Sequence, residues 1–283
     1  MTHKTFEIPI GNKSLKLGKK PIMMGILNTT PDSFSDGGNF EQEKFALEHA
    51  RSMIKGGATI IDIGGESTRP KAKETPLQVE IDRVIPLIEK ISKENLDCII
   101  SIDTYKPLVA DQAIQSGANI INDVSGLQRE VEMADIAKLH NVPIIIMHWD
   151  KNRNTSNDII KEMKYYFEKS LNIAKKAGLR DNQIILDPGF GFAKSLDDNY
   201  EILNRFSEFH SLGYPLVCGT SNKSMIGNLL NIPIEERLSG TIASNIMAYI
   251  KGAHIFRIHA VKENLQALQI AKATLYKQSE RSQ

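Results

Sequence analysis

Cys98-Ile99-Ile100-Ser101-Ile102-Asp103 is a short apolar run that ends on an acid, and the chain returns to that pattern elsewhere. Thr59-Ile60-Ile61 leads into Asp62, Ile120-Ile121 into Asn122-Asp123, and Ile184-Ile185-Leu186 into Asp187. Unbroken β-branched runs of this length read as strands buried on both faces, as in a parallel sheet covered by helices. Burying an ionised carboxylate costs several kcal/mol unless something pairs with it. One fold would bear that cost repeatedly, and a single ligand gathered where the strand ends converge accounts for all of these groups together.

Extending the same reading along the chain gives eight strand candidates, at 22–28, 59–65, 98–103, 119–124, 143–148, 183–189, 214–220 and 254–259. Segments with helical periodicity, such as 77–91 and 158–177, separate most of them. Glycines at Gly56-Gly57, Gly117, Gly178, Gly213 and Gly252 precede the following strands as helix C-terminal caps. Eight β-then-α units in a chain of 283 residues predict an α/β fold, a single (β/α)8 TIM barrel. Phe6-Glu7-Ile8-Pro9-Ile10 and Leu15-Lys16-Leu17 flank Gly11-Asn12-Lys13, which predicts an N-terminal β-hairpin covering the bottom of the barrel. No Pro/Ser-rich linker interrupts the pattern, so 1–283 reads as one domain with 1–20 as the hairpin extension. A doubly wound open sheet is the competing fold. Its nucleotide-binding members carry a glycine-rich fingerprint after the first strand, and Asn28-Thr29-Thr30-Pro31-Asp32 is not one.

Composition sets outer limits. A net charge of +1, with 24% charged and 41% hydrophobic residues, gives no reason to expect a nucleic-acid partner. Cys98 and Cys218 lie in apolar runs and read as buried small hydrophobes, not a disulfide. No stretch is apolar for long enough to cross a bilayer, and residues 1–20 lack the apolar core of a signal peptide. The expected setting is cytoplasmic.

In a barrel of this kind the active site forms from the loops after the strands. That points to Asn28, Asp62, Asp103, Asn122, His148, Asp187, Ser221-Asn222-Lys223-Ser224, Arg257 and His259: acceptors from the second to sixth strands, cations from the last two. Plainer roles compete for several of them. A strand-end acid often caps a helix, and Asp123 before Val124-Ser125-Gly126 reads that way. Lys223 alone would be an ordinary surface lysine, and His148 after Ile144-Ile145-Ile146-Met147 a satisfied core histidine. A dedicated metal centre would want more oxygen ligands or closely spaced histidines.

Two segments weigh more. Ser221-Asn222-Lys223-Ser224 opens a helix with a lysine and free backbone N–H groups, a setting for an anion such as a carboxylate. Arg257 and His259 alternate on the last strand and so face the same side. With Asn28 beside them they would form a second anion pocket, which suggests a reaction between two anionic substrates. The long loops at 28–40 and 64–75 read as lids, with Phe34 and Arg69 near their tips.

These residues together resemble the dihydropteroate synthase family. The resemblance rests on Gly25-Ile26-Leu27-Asn28-Thr29-Thr30-Pro31-Asp32-Ser33-Phe34-Ser35-Asp36-Gly37-Gly38 and Asp62-Ile63-Gly64-Gly65-Glu66-Ser67-Thr68-Arg69-Pro70. It continues through Ser101-Ile102-Asp103-Thr104, Ile121-Asn122-Asp123-Val124, Leu186-Asp187-Pro188-Gly189-Phe190-Gly191-Phe192 and Arg257-Ile258-His259. It implies a homodimeric barrel that condenses a dihydropterin pyrophosphate with p-aminobenzoate and releases pyrophosphate. By position it assigns Asp103, Asn122, Asp187 and Lys223 to the pterin, and Asn28, Arg257 and His259 to the pyrophosphate, with Mg2+ bound through Asn28. Phe34, Thr68, Arg69, Pro70, Phe192 and Ser224 would bound the aminobenzoate, and Asp36, Arg69, Lys223 and Arg257 would be catalytic. Two positions depart from the family pattern: Asn222 stands where arginine is common, and Ala260 where an acid or amide often follows the histidine. The resemblance leaves two rivals, a methyltetrahydrofolate-dependent methyltransferase and a non-catalytic pterin-binding paralogue. The first has no use for a pyrophosphate pocket, and the second would show eroded lid motifs.

Overall fold

The computed structural model describes residues 3–29, 39–67 and 73–276. Strands β1 (Phe6–Ile10) and β2 (Lys13–Leu17) form an antiparallel hairpin, and β3 (Ile22–Asn28) begins the barrel. Then follow α1 (Asn39–Lys55), β4 (Ile60–Gly64), α2 (Leu77–Lys93), β5 (Ile99–Asp103), α3 (Pro107–Gln115) and β6 (Ile120–Asp123). The chain continues with α4 (Met133–Leu139), β7 (Ile144–Met147), α5 (Ile159–Lys176), β8 (Ile184–Asp187) and α6 (Leu196–Asn204). It ends with β9 (Val217–Cys218), α7 (Ser224–Leu230), α8 (Leu238–Ile250), β10 (Ile255–Ile258) and α9 (Val261–Tyr276). The eight parallel strands run β8-β7-β6-β5-β4-β3-β10-β9. A bridge between Leu186 and Leu216 and the bond from Leu186 N–H to Pro215 O at 2.9 Å join the two ends.

All eight strand candidates of the barrel are present, most of them trimmed by a residue or two. The greatest difference is β9, expected over 214–220 and paired only at Val217–Cys218. Pro215 has no N–H to donate, and the seam with β8 makes only that single bridge. The left-handed glycines fall where the caps are expected, at Gly57, Gly117, Gly178, Gly213 and Gly252. Asp158 caps α5 by accepting the Lys161 N–H at 2.9 Å.

Alternation along each strand sorts the side chains. One parity packs Met23, Leu27, Ile61, Ile63, Ile102, Ile121, Ile146 and Phe256 against the helices. The other parity fills the barrel, and at its lower end it supplies Met24, Ile60, Ile120, Ile145, Ile185, Val217 and Ile255. Ile8, Leu15 and Leu17 of the hairpin join that lower cluster, so the hairpin closes the floor. Because the floor is apolar and sealed, ligand access is confined to the opposite end.

A knot of imidazoles fastens the N-terminal segment under that floor. His254 lies at the centre: Nδ1 accepts the Leu216 N–H at 3.2 Å and Nε2 donates to Lys4 O at 3.0 Å. Both bonds need the neutral ring, since a second proton would set Nδ1–H against an amide N–H. Burial pushes His254 down to about 4, and His3 and His210 nearby add to that while Lys4 O opposes it. A histidine with a lowered folded-state pKa stabilises fully above its free value near 6.5, and that contribution is lost as pH falls towards 4. The melting temperature is therefore expected to drop through this window by the equivalent of roughly 2–3 kcal/mol. His254→Gln, which can still accept and donate, should flatten the slope in a pH series of thermal melts.

Candidate active site

The inward parity that is apolar at the floor turns polar above it. Ile60 is followed two residues later by Asp62 and then Gly64, Ile99 by Ser101 and Asp103, Ile120 by Asn122, Ile185 by Asp187, and Ile255 by Arg257 and His259. Strand register aligns these groups across the sheet: Asn28 lies beside Gly64, Gly64 beside Asp103, and Asp103 beside Asn122. The strand-end polar groups thus converge because they continue the faces that make the core.

Asp62 is the hub. Its carboxylate accepts the Ser101 hydroxyl at 2.7 Å, the Asn122 amide at 3.1 Å and Arg257 Nε at 2.7 Å. It is wholly buried. The same guanidinium donates from Nη2 to Asp103 Oδ2 at 2.5 Å. Arg257 thereby bridges two carboxylates inside the barrel. Burial works against its charge, but Asp62 and Asp103 outweigh it and hold Arg257 well above its ordinary value. Burial pushes Asp103 up to about 7; Asp62 and Glu80 add to this, while Arg257 and Lys223 oppose it.

Across the cavity, burial also raises Asp187, whose Oδ1 accepts the Gly189 N–H at 2.7 Å. Lys223 is pushed down to about 8, chiefly by burial and then by the Arg257 charge. Its ammonium sits 4.2 Å above the Phe192 ring, and Phe192 meets Trp149 edge-on at 5.3 Å. Asp103, Asn122, Asp187, Lys223, Phe192 and Arg257 line one narrow cavity with Val124, Met147 and Gly219. Two carboxylates, an amide and apolar side chains around one cavity suit a flat heterocycle with N–H groups on its edges.

Three predicted site residues stand at the rim. A Cβ at Gly64 would lie 3.5 Å from Asp103 Oδ2 and 3.6 Å from Asn28 Oδ1, so this glycine sits between those two side chains. Ser221 Oγ pairs with His259 Nδ1 at 2.9 Å and accepts its backbone N–H at 3.2 Å, which fixes that ring. Ser224 is the first residue of α7 and is exposed. Phe34, Asp36, Thr68, Arg69 and Pro70 lie outside the described residues. On either side of 68–72, Lys106 Nζ donates at 2.6 Å to each of Glu66, Thr75 O and Glu80.

Several readings change in detail. The resemblance places Arg257 with the pyrophosphate and Asp103 with the pterin; the structure bonds the two side chains directly. Asp123 is a loop cap, accepting the Ser125 and Leu127 N–H groups at 2.8 and 2.7 Å. His148 is a core histidine, buried against Tyr166 at 4.6 Å between ring centres. Asn222 takes φ +55, a left-handed position that suits asparagine, and its carbonyl accepts Arg237 Nη1 at 3.0 Å. A guanidinium thus reaches this loop from Arg237. Ala260 O accepts the Asn264 amide at 2.8 Å. Sequence reasoning gave Asp62 no separate role and overlooked Lys106 and Lys194. The shared parity of Ile60 and Asp62 is a signal for the first; lone lysines carry none.

Fold and cavity together define a class: a (β/α)8 barrel that holds a flat, N–H-rich heterocycle at the C-terminal ends of its strands. Residues 24–259 match the family model described as pterin binding enzyme. The dihydropteroate synthase of Clostridium beijerinckii is 48% identical over 91% of this chain and 96% of its own, and that of Bacillus subtilis 47% over 93% and 92%. Among solved structures, Clostridium difficile dihydropteroate synthase in the presence of pteroic acid superposes with a TM-score of 0.88 at 43% identity, over 92% of this chain and 98% of that one. The Xanthomonas albilineans enzyme with 4-aminobenzoic acid gives 0.90 at 34% identity, over 96% and 99%. The chain belongs to the pterin-binding enzymes and, among them, to the dihydropteroate synthase family.

Asp62 tests the core of the site. Asp62→Asn keeps the shape but turns an N–H2 group towards donors, and breaking a buried ion pair of this kind costs roughly 3–5 kcal/mol. Ser101→Ala, which removes one neutral donor, is expected to cost about 1 kcal/mol. Denaturant unfolding of the two variants measures the difference.

Proposed function

We infer that the chain condenses hydroxymethyl dihydropterin pyrophosphate with p-aminobenzoate to give dihydropteroate and pyrophosphate. The observation that carries this is the convergence of Asp103, Asn122, Asp187, Lys223 and Arg257 on one cavity. Asp187 takes N–H donors from the aminopyrimidine edge, and Asp103 and Asn122 take the far side of the ring. Lys223 spans pterin and the Phe192 face of the aminobenzoate slot, with Ser224 at the slot's outer end.

The chemistry asks little of acids or bases. The pyrophosphate leaves from the pterin methylene, the cation spreads into the electron-rich ring, and the arylamine attacks, losing its proton afterwards. The protein holds the ring, aligns the amine, excludes water and stabilises the departing charge. Arg257 and His259 face that departing group, and Arg257 can meet it through N–H groups that neither Asp62 nor Asp103 occupies. Asp36 and Arg69 are assigned to the closing segments, and Phe34, Thr68 and Pro70 to the aminobenzoate slot, by the family resemblance alone.

An Mg2+ ion fits the rim. Asn28 Oδ1 lies beside Gly64, as Asp103 does, and a hard oxygen donor suits this ion. Among the described residues no cluster of three His, Cys, Asp or Glu side chains is placed to ligate a metal, so substrate oxygens and water would complete the shell. Bound there, Mg2+ would neutralise pyrophosphate charge.

The working form is assigned as a homodimer. Leu229, Leu230, Ile234, Leu238, Met247 and Ile250 leave an exposed apolar surface on and around α7 and α8. A cytoplasmic setting is assigned as well; no helix among the described residues is long and apolar enough to cross a membrane, and both cysteines are free thiols.

Purified protein with dihydropterin pyrophosphate and Mg2+ should release pyrophosphate only when p-aminobenzoate is present, with dihydropteroate appearing in step. Tight pterin binding without release would favour the non-catalytic paralogue. Asp187→Asn should weaken pterin binding by about tenfold or more, read by calorimetry; normal affinity would refute the pocket assignment. Light scattering is expected to give twice the chain mass, and Leu230→Glu with Met247→Glu to halve it.

A further inference from the structure

Lys194 has no part in the chemistry above, yet its ammonium is enclosed directly behind the pterin pocket. Nζ lies 2.9 Å from Gly189 O, 3.0 Å from Phe192 O, 3.0 Å from His148 Nδ1 and 3.3 Å from His148 O. Among the described residues no carboxylate forms an ion pair with it. An enclosed ammonium without a carboxylate is costly, and the backbone around it shows what it does.

Gly189, Gly191 and Ala193 adopt φ of +66, +80 and +50. Left-handed residues at alternate positions curl the segment after β8 so that its carbonyls turn towards one point. Alanine adopts that conformation at a cost of about 1–2 kcal/mol, so the curl is imposed from outside the residue. At Gly189 a side chain would fall 2.3 Å from His148 O, which leaves that carbonyl and the loop in direct contact. Without a cation among them, the carbonyl dipoles of His148, Gly189 and Phe192 would repel one another.

The curled segment also builds two walls of the cavity. Gly189 N–H orients the Asp187 carboxylate, and Phe192 forms the face beneath Lys223. We propose that Lys194 is a positioning residue of the pterin site, its ammonium gathering the carbonyls of His148, Gly189 and Phe192 and so fixing Asp187 and Phe192 where the ligand meets them. This rests on the assignment of Asp187 to the pterin.

The surroundings of Lys194 fit that role. Burial pushes it down to about 7, with Arg153 and Lys223 adding to the effect and Asp187 and Asp198 opposing it. Burial holds His148 neutral, its pKa pushed down to about 2, so Nδ1 is an acceptor for the ammonium.

Lys194→Met removes the charge and the donors at nearly constant length. The KM for dihydropterin pyrophosphate is expected to rise about tenfold or more while kcat at saturation falls less than about threefold, because the lost interaction serves binding before the chemical step. Affinity for inorganic pyrophosphate alone should stay within about twofold. If Lys194→Met does not fold, Lys194→Gln keeps two N–H donors and is read the same way, with a smaller rise. Unchanged KM would overturn the proposal, and so would equal losses for pterin and pyrophosphate, which would mark a general structural role. Asp187→Asn in the same assay separates the failures. If it also keeps normal pterin affinity, the pocket assignment is wrong; if it loses affinity while Lys194→Met does not, only the role of Lys194 falls.

Discussion

Three carboxylates, one guanidinium and one ammonium share the interior of this barrel, and the site is organised around that shortage of positive charge. Asp62 and Asp103 both hold Arg257. One guanidinium has N–H groups enough for both, but its single charge cannot neutralise two buried anions. Burial raises Asp103, the group nearer the mouth, and the neighbouring charge of Asp62 adds to that shift. A ligand offering N–H donors to Asp103 and Asp187 would relieve it, and a departing anion would draw on Arg257. The site is therefore short of positive charge in a way that the pterin end of the substrate would relieve and its departing pyrophosphate would disturb.

The shape of that arrangement follows from strand alternation. Polar groups enter the barrel only on the parity that is isoleucine at the floor, so the change from core to pocket occurs within single strands, as in Ile60 to Asp62 to Gly64. A shift of one residue would send the acids to the helix-covered face, where Asp123 shows the alternative outcome. Asp123 sits next to Asn122, has the opposite parity, and spends its carboxylate on its own loop. Neighbouring residues of similar chemistry thus part company according to which side of the strand they occupy.

That logic sets what was legible beforehand. Eight strands, the hairpin and the convergence of Asp103, Asn122 and Asp187 could be read from periodicity, because period and burial are local properties of sequence; Lys223 joined them only through the family resemblance. The division of labour among the polar groups could not. Arg257 reads as an anion binder because a strand-end arginine facing the mouth has that role available, and nothing local says that Asp62, 195 residues away in the chain, takes its Nε first. Lys194 was invisible for a related reason. Its partners are backbone carbonyls from His148, Gly189 and Phe192, and carbonyls leave no mark in the sequence. Only the left-handed run at Gly189, Gly191 and Ala193 announces them, and the alanine disguises one member of the set.

Charge placed behind a binding wall acts differently from charge placed in it. Lys223 and Arg257 stand in the cavity and meet whatever enters, so their low-lying or shared charges can respond to a ligand. Lys194 stands behind Asp187, bonded to the chain itself, and contributes a fixed geometry; while protonated it also favours the carboxylate's ionised form. Phe190 anchors the segment after β8 in the core beside Phe206, but the left-handed residues at 189, 191 and 193 add little stiffness of their own. Binding a cation with the segment's own carbonyls supplies that stiffness without introducing bulk into a narrow pocket. The same economy appears at the floor, where the neutral ring of His254 ties Leu216 and Lys4 together in space too tight for a second proton. In both places a single buried nitrogen group determines the course of the backbone, and the ligand-facing residues inherit their positions from it.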